Sequence, residues 1–434
     1  MGPETTAVVM IISMLLLLAL GLPLAFITGG IGVVILGLLF GPSVFISVLS
    51  STLTTSTNLL YAAVPLFILM GAILESSGIA EDLFAALHAW LGGIRGGLGM
   101  GTVIICCIFA AMVGIAGAEI VIMGIIALPA MLKYKYNQRL AMGTILAGGT
   151  LGQLIPPSVL FIAYGAEAGV SVGALFKGGV PAGLILAGLF ILYIGIRAHI
   201  QKGLCPAVPV EERLGLKAKF TSLKGLILPV LLIVFVLGSI FTGIATPSEA
   251  AGVGVIGTVI AAIVHRRFNI VMVKSALATT LRVNCMIMWV IFGAKTFALA
   301  LVSSGGMKVL QNAFLTLAEG LNPAGVLVLM FGTLFLLGLF LEPITIIILT
   351  VQVFAPLLKA LAVDPTWFGV VYVVTLQLGY ITPPFGYSLF YLKGVAPPNI
   401  DLADIYRSVT PFVFLELLGI FLMCAFPQLI TWIF

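Results

Sequence analysis

Two segments of this chain read almost alike: GGTLGQLIPPSVLFIAYG, from Gly148 to Gly165, and TLQLGYITPPFGYSLFYLKG, from Thr375 to Gly394. Each sets a double proline a few residues after a glycine, inside an apolar stretch of membrane length. Proline lacks the N–H that a helix interior needs and biases the preceding residue away from helical geometry. Each pair should therefore interrupt a helix and free backbone carbonyls. Against lipid such carbonyls are very costly, so a break at bilayer depth is expected only where protein or a water-filled cavity receives it. Paired breaks in the two halves of a chain point to a transporter's midplane binding site.

Composition fixes the setting. The 434 residues are 61% hydrophobic and 8% charged, with a mean hydropathy of +1.27, whereas roughly a quarter of residues are charged in soluble domains. The chain reads as an all-α polytopic membrane protein. Its opening, MGPETTAVVMIISMLLLLALG, lacks the basic region and small-residue cleavage site of a secretory signal and reads as a retained first span. Cys106, Cys107, Cys205, Cys285 and Cys424 show neither disulfide nor metal spacing. The net charge of +5 falls in short loops between spans, so it speaks to topology and not to nucleic acid.

An offset of 227 matches Ser76-Ser77-Gly78 to Ser303-Ser304-Gly305, Pro129 to Pro356, Gly152 to Gly379, Pro156-Pro157 to Pro383-Pro384, and Tyr164 to Tyr391. A constant offset over such a length argues for duplication. Towards the C-terminus it becomes 230, pairing Lys177 with Arg407 and Pro181 with Pro411; near the N-terminus Pro23 pairs with Pro247 at 224. The first repeat comprises residues 1–196, the second residues 226–434, and residues 197–225 form a basic linker.

That linker carries Arg197, Lys202, Arg213, Lys217, Lys219 and Lys224 and is expected to stay cytoplasmic. Counting outward places Lys133, Lys135, Arg139, Arg266, Arg267 and Lys274 inside, and Glu81, Asp82 and Asp364 outside. The count works if each repeat has an odd number of crossings plus one hairpin, which makes the repeats inverted and both termini periplasmic. Full spans are expected near 5–21, 24–41, 98–131, 141–165 and 179–196, with counterparts at 226–244, 248–264, 323–356, 368–392 and 411–433. The 98–131 span is long enough to be divided. Residues 44–75 and 276–302 are the expected re-entrant hairpins. Gly78–Trp90 and Gly305–Leu317 look amphipathic, as interfacial helices do.

The pattern G-x-L-I-P-P-S at Gly152–Ser158, with LFKGGVPAG at 175–183 and ATPSEAAGVG at 245–254, resembles the large membrane subunit of tripartite ATP-independent periplasmic (TRAP) transporters. The resemblance covers essentially the whole chain. It implies an elevator-type ion-transporter-like fold and sodium-coupled uptake of an organic acid delivered by a periplasmic substrate-binding protein. It also implies a small four-helix membrane subunit as a separate partner in the bilayer of the bacterial inner membrane. No cofactor is expected beyond sodium as the coupling ion.

Sodium is a hard ion suited to the oxygen ligands that unwound helices expose. The first-half candidates are Thr150, Gly152 and Pro156 with Ser56 or Asn58 from the expected hairpin; the second-half candidates are Gly379, Thr382 and Pro383 with Asn284. Half-helix N-termini after Pro157 and Pro384 would favour a carboxylate, and Ser158 is placed to donate to it, unless it merely bonds its own preceding turn. Four acids fall within expected spans. Thr246-Pro247-Ser248-Glu249 reads as a capping box, a structural use of Glu249, and Glu416 reads as a headgroup-level residue. Glu119 and Glu342 lie at similar but not identical repeat positions, and either could line the ion or substrate cavity; we place Glu342 with the sodium ligands and Glu119 with the substrate. Where the family often has a small hydroxyl residue and an aspartate, the segments here read GIAGAEIV and LFLEPITI. Lys295, deep in VIFGAKTFAL, could meet the substrate carboxylate, neutralise Glu342 or snorkel to the interface.

An intramembrane hydrolase would need a nucleophile with a histidine partner, HExxH, or paired aspartates within spans, and none occurs. No GxxxxGK[ST] sequence exists either. The alternative is a sodium/dicarboxylate or other ion-coupled carrier that works without a binding protein. The few fixed charges of the expected cavity suit sialic acid, dicarboxylates, 2-oxo acids or hydroxy acids.

Overall fold

The computed structural model describes residues 2–114, 117–201, 203–383 and 386–433; Lys202, Pro384 and the side chains of Glu81 and Lys224 lie outside the described residues. The first half forms α1 (Pro3–Ala19), α2 (Leu24–Phe40), α3 (Val44–Ser56), α4 (Leu59–Ser76), α5 (Ile79–Leu91), α6 (Gly97–Val113), α7 (Ala118–Lys133), α8 (Gln138–Thr150), α9 (Val159–Ala168) and α10 (Val172–Ile200). The linker holds α11 (Leu216–Ser222). The second half forms α12 (Lys224–Phe241), α13 (Pro247–Val264), α14 (Ile270–Ser303), α15 (Gly306–Ala318), α16 (Pro323–Gly338), α17 (Pro343–Ala360), α18 (Pro365–Ile381), α19 (Tyr387–Val395), α20 (Leu402–Ala425) and α21 (Gln428–Thr431). Among the described residues, six helices are singly long and apolar enough to cross a bilayer: α4, α10, α13, α14, α17 and α20.

Helix starts are set by short-range chemistry. Thr246 accepts from Glu249 N while the Glu249 carboxylate accepts from Thr246 N at 2.8 Å, the reciprocal capping box that starts α13. Asn137 and Asp364, 227 positions apart, cap α8 and α18 through Leu140 N at 3.2 Å and Trp367 N at 2.7 Å. Duplicated caps thus start duplicated helices.

The re-entrant hairpins are not where the sequence reading put them. Residues 276–302 lie inside the single 34-residue helix α14. Its counterpart is α3 and α4, interrupted only at Thr57–Asn58; α3 packs on α2 and α14, and α4 on α13 and α14. The Ser/Thr string that suggested a hairpin tip is satisfied locally. Thr52, Thr54, Thr55, Ser56 and Thr57 each donate to the carbonyl four residues back, which lets a hydroxyl-rich helix tolerate an apolar setting. The hairpins are instead the spans expected near 98–131 and 323–356, as α6–α7 and α16–α17. Cys106 of α6 and Ile120 of α7 abut the adjacent Gly148 and Gly149 of α8, so both arms pack on one stretch of the same helix. Phe331 of α16 and Phe354 of α17 both pack on Phe368 of α18.

Exchanging hairpin for crossing also moves α5 to the face of the linker, opposite to the expected side. Arg267 pairs with Asp82 at 3.1 Å and donates to Ser77 O at 2.8 Å. Trp90 Nε1 donates to Lys219 O at 3.0 Å, and Lys133 pairs with Glu212 at 3.5 Å. Asp82, expected on the far face, therefore sits among the basic residues.

Candidate functional site

The first break follows from its prolines. After α8 ends at Thr150, residues 151–153 tighten into a 3₁₀ turn, Pro156–Pro157 carries a cis peptide, and α9 restarts at Val159. Ser158 is fully buried; its hydroxyl donates to Gln153 O and accepts from Phe161 N at 3.3 Å. The hydroxyl expected to reach substrate is therefore spent on the break. Hairpin α6–α7 docks here through Gly114, whose carbonyl accepts from Val159 N at 3.3 Å. Gly114 has φ 71°, and a Cβ there would stand 2.2 Å from Pro157 O. Only glycine meets both demands.

Glu119, expected beside the substrate, lies instead against this break. It is 1% exposed, neither carboxylate oxygen has a hydrogen-bond partner among the described residues, and a Cβ on Gly152 would come within 2.1 and 2.3 Å of those oxygens. The break and the first turn of α7 thus meet where the Glu119 carboxylate lies against Gly152.

The second break ends α18 at Ile381, with Thr382 Oγ1 donating to Leu378 O at 2.6 Å before Pro383. Gly379 presses on the end of α16, where its Cβ would lie 2.8 Å from Gly338 Cα. Ser388 in α19 donates to Tyr380 O at 2.6 Å, tying the two sides of the break together. Among the described residues no hydrogen bond joins Asn284 to this break, or Ser56 or Asn58 to the first. Asn284 belongs to continuous α14, Ser56 bonds Thr52 O, and Asn58 caps α4 through Leu60 N at 2.9 Å. These three were placed with the ions because the hairpins were misassigned.

The two breaks meet through a buried amide. Gln377 Nε2 donates to Thr150 Oγ1 at 2.9 Å and to Glu416 Oε1 at 3.0 Å, and Tyr380 OH donates to Thr150 O at 3.3 Å. Glu416, read from sequence as a headgroup-level residue, is fully buried, with Oε2 unpartnered among the described residues. Gln377 is absent from the sequence-level candidates, although the 227-residue offset pairs it with Thr150.

A cavity of about 420 Å³ opens where the hairpin ends and both breaks meet α1, α2 and α14. Gly114, Gln153, Glu342, Tyr387, Phe390 and Tyr391 line it, with apolar residues of α1, α2 and α14 opposite. Glu342, placed from sequence with the sodium ligands, faces this cavity and caps α17 through Thr345 N at 3.4 Å. Gln153 Nε2 donates to Tyr387 OH at 3.1 Å, which links the first break to the second across the cavity wall.

Lys295 meets neither Glu342 nor the cavity. Its Nζ lies 2.7 Å from Glu167 Oε1 at the end of α9, and Tyr61 OH of α4 donates to the same oxygen at 3.0 Å. Glu167 is only 6% exposed. The sequence reading missed it because a lone acid two residues before Gly169 looks like an ordinary helix end.

Among the described residues no group of three or more His, Cys, Asp or Glu side chains is placed to hold a metal ion. A family model described as the tripartite ATP-independent periplasmic transporter, DctM component, matches residues 11–429. The C4-dicarboxylate TRAP transporter large permease protein DctM of Pseudomonas aeruginosa is 32% identical over 392 residues, covering 90% of each chain. The ectoine TRAP transporter large permease protein TeaC of Halomonas elongata is 29% identical over 371 residues, covering 85% of this chain and 84% of that one. Among solved structures, the YdaH transporter of Alcanivorax borkumensis aligns with a TM-score of 0.62 over 98% of this chain and 99% of that chain, at 17% identity, a likeness of fold alone.

Proposed function

This chain belongs to the DctM component family of TRAP transporters, whose members are permeases and not enzymes, and we propose that it carries out sodium-coupled uptake of an organic acid. A periplasmic binding protein delivers the substrate and a separate small four-helix subunit completes the membrane complex. The complex resides in the bacterial inner membrane, with the basic linker and α5 cytoplasmic and both termini periplasmic by the positive-inside rule.

The observation that carries this reading is the convergence of both helix breaks on one cavity. The ion ligands are the carbonyls and side chains of Thr150, Gly152 and Pro156 with Glu119 at the first break, and Gly379, Thr382 and Pro383 at the second. These are oxygen donors, as sodium requires, and discontinuous helices supply them without a long run of buried charge. The start of α9 presents a positive helix end on which a carboxylate is favoured. The hairpins and broken helices move as one unit along the arm helices α2, α4, α13 and α14, which pack on one another; Lys295 and Tyr61 grip Glu167 at the boundary between the two sets.

Proteoliposomes that contain this chain with its small subunit test the partner requirement. Uptake is expected only when the cognate binding protein is supplied. Transport of free substrate by this chain alone would favour the carrier that needs no binding protein.

A further inference from the structure

We propose that the cavity takes a zwitterionic organic acid, with one carboxylate and one ammonium or comparable cation, the cation lying on the side of Glu342, Tyr387 and Tyr391. This rests on reading the cavity as the substrate site. Two helix starts in the lining favour a carboxylate, α9 at Val159 and Leu160 and α19 at Tyr387, but the Glu342 carboxylate that caps α17 lines the α19 side, so a second substrate carboxylate there would meet a like charge. Among the described lining residues there is no Lys, Arg or His.

The other side is built for a donor. Glu342 brings a carboxylate, and Gln153 Oε1, on a residue 8% exposed, is a buried acceptor without a partner among the described residues. Tyr387 and Tyr391 stand edge to face at 5.8 Å, and Tyr387 also packs on Tyr380 at 4.9 Å. Aromatic walls beside a carboxylate are the surroundings that hold an ammonium group, by cation–π attraction and by charge. A second carboxylate in a cavity of this size would share it with Glu342.

The test uses the full chain in nanodiscs, with Cys285→Ser and Phe390→Cys, so that a cavity-lining position reports occupancy by its protection from a maleimide. The probes are δ-aminovalerate, glutarate and valerate, which have similar length and end in an ammonium, a carboxylate or a methyl group. δ-Aminovalerate is expected to protect at concentrations at least about tenfold below glutarate. Glu342→Asn, which keeps a helix-capping side chain but no charge, should remove that preference. Glutarate protecting as well as δ-aminovalerate would overturn the inference while leaving the cavity as the site. Protection by none of the three would remove the cavity reading and the inference with it. If Glu342→Asn raised only the sodium needed for protection and left the order of probes unchanged, Glu342 would serve the ion and the inference would fail.

Discussion

Thr150 and Gln377 hold the same position in the two repeats, 227 residues apart, and they touch: Gln377 Nε2 donates to Thr150 Oγ1 at 2.9 Å. Where equivalent residues of an inverted duplication meet, the pseudo-twofold axis passes between them, so both helix breaks open on the same midplane region. The departure from symmetry matters as well. The larger Gln377 uses its second amide hydrogen on Glu416 Oε1 at 3.0 Å, which binds α20 to the axis.

Gln377→Leu should cost about 1–3 kcal/mol, because it leaves the Glu416 carboxyl buried without its donor. Glu416→Leu in the same background should recover much of that loss, since replacing both partners by apolar groups removes the unpaired atom. Thermal unfolding of the detergent-purified variants measures the coupling, and strictly additive losses would show that the contact is idle.

Gly114→Ala should leave membrane insertion intact and abolish uptake. The φ of 71° alone costs alanine about 1–2 kcal/mol, and the added Cβ would stand 2.2 Å from Pro157 O, forcing the hairpin off the first break. Gly394→Ala, where a Cβ meets nothing within 4 Å, serves as the control and should transport normally.

Lys295→Met should strand Glu167, which is 6% exposed, with only the Tyr61 hydroxyl for support. The expected loss is about 1–3 kcal/mol, below the cost of breaking a fully buried pair because Lys295 is 27% exposed. Lys295→Met with Glu167→Gln should regain stability but not the normal rate of uptake if the pair helps set the position of the moving unit. Melting curves and initial rates, taken together, separate the two effects.

The breaks were legible because proline and glycine act locally: Pro156, Pro383, Gly152 and Gly379 interrupt or approach backbone whatever surrounds them. The capping box at Thr246–Glu249 was legible for the same reason. The hairpins were not, because an apolar run is compatible with either a crossing or a return. The hydroxyl string at 54–57 also resembled an exposed tip, when in fact each hydroxyl bonds its own helix. The destinations of Glu119, Glu342 and Lys295 depended on that choice, and with the hairpins corrected Glu119 joins the first break and Glu342 the cavity. Partners such as Glu167 and Gln377 are long-range contacts, and no local pattern announces them.

Acidification should loosen the linker from α7. The Glu212 carboxyl is held below its usual range, first by the Tyr134 hydroxyl, which donates at 2.6 Å, and then by Lys133. Burial likewise pushes His88, beside Tyr134, below its usual range. Both depressions mean that the folded state binds these protons less readily than the unfolded one. Their contributions are present above the ordinary values, about 4.3 for Glu and 6.5 for His, and are lost as pH falls through the lower folded values. Limited proteolysis of the linker should therefore accelerate between neutral and acidic pH, and Glu212→Gln should show less of that acceleration.

The most direct test of the account follows radiolabelled sodium and substrate into the same proteoliposomes, with the small subunit and binding protein present. Substrate entry should be accompanied by sodium entry in a fixed ratio and should cease when sodium is replaced by potassium or choline, and Glu119→Gln should weaken the sodium dependence. Undiminished substrate entry in potassium or choline would contradict the claim that the two helix breaks form a sodium-coupled site.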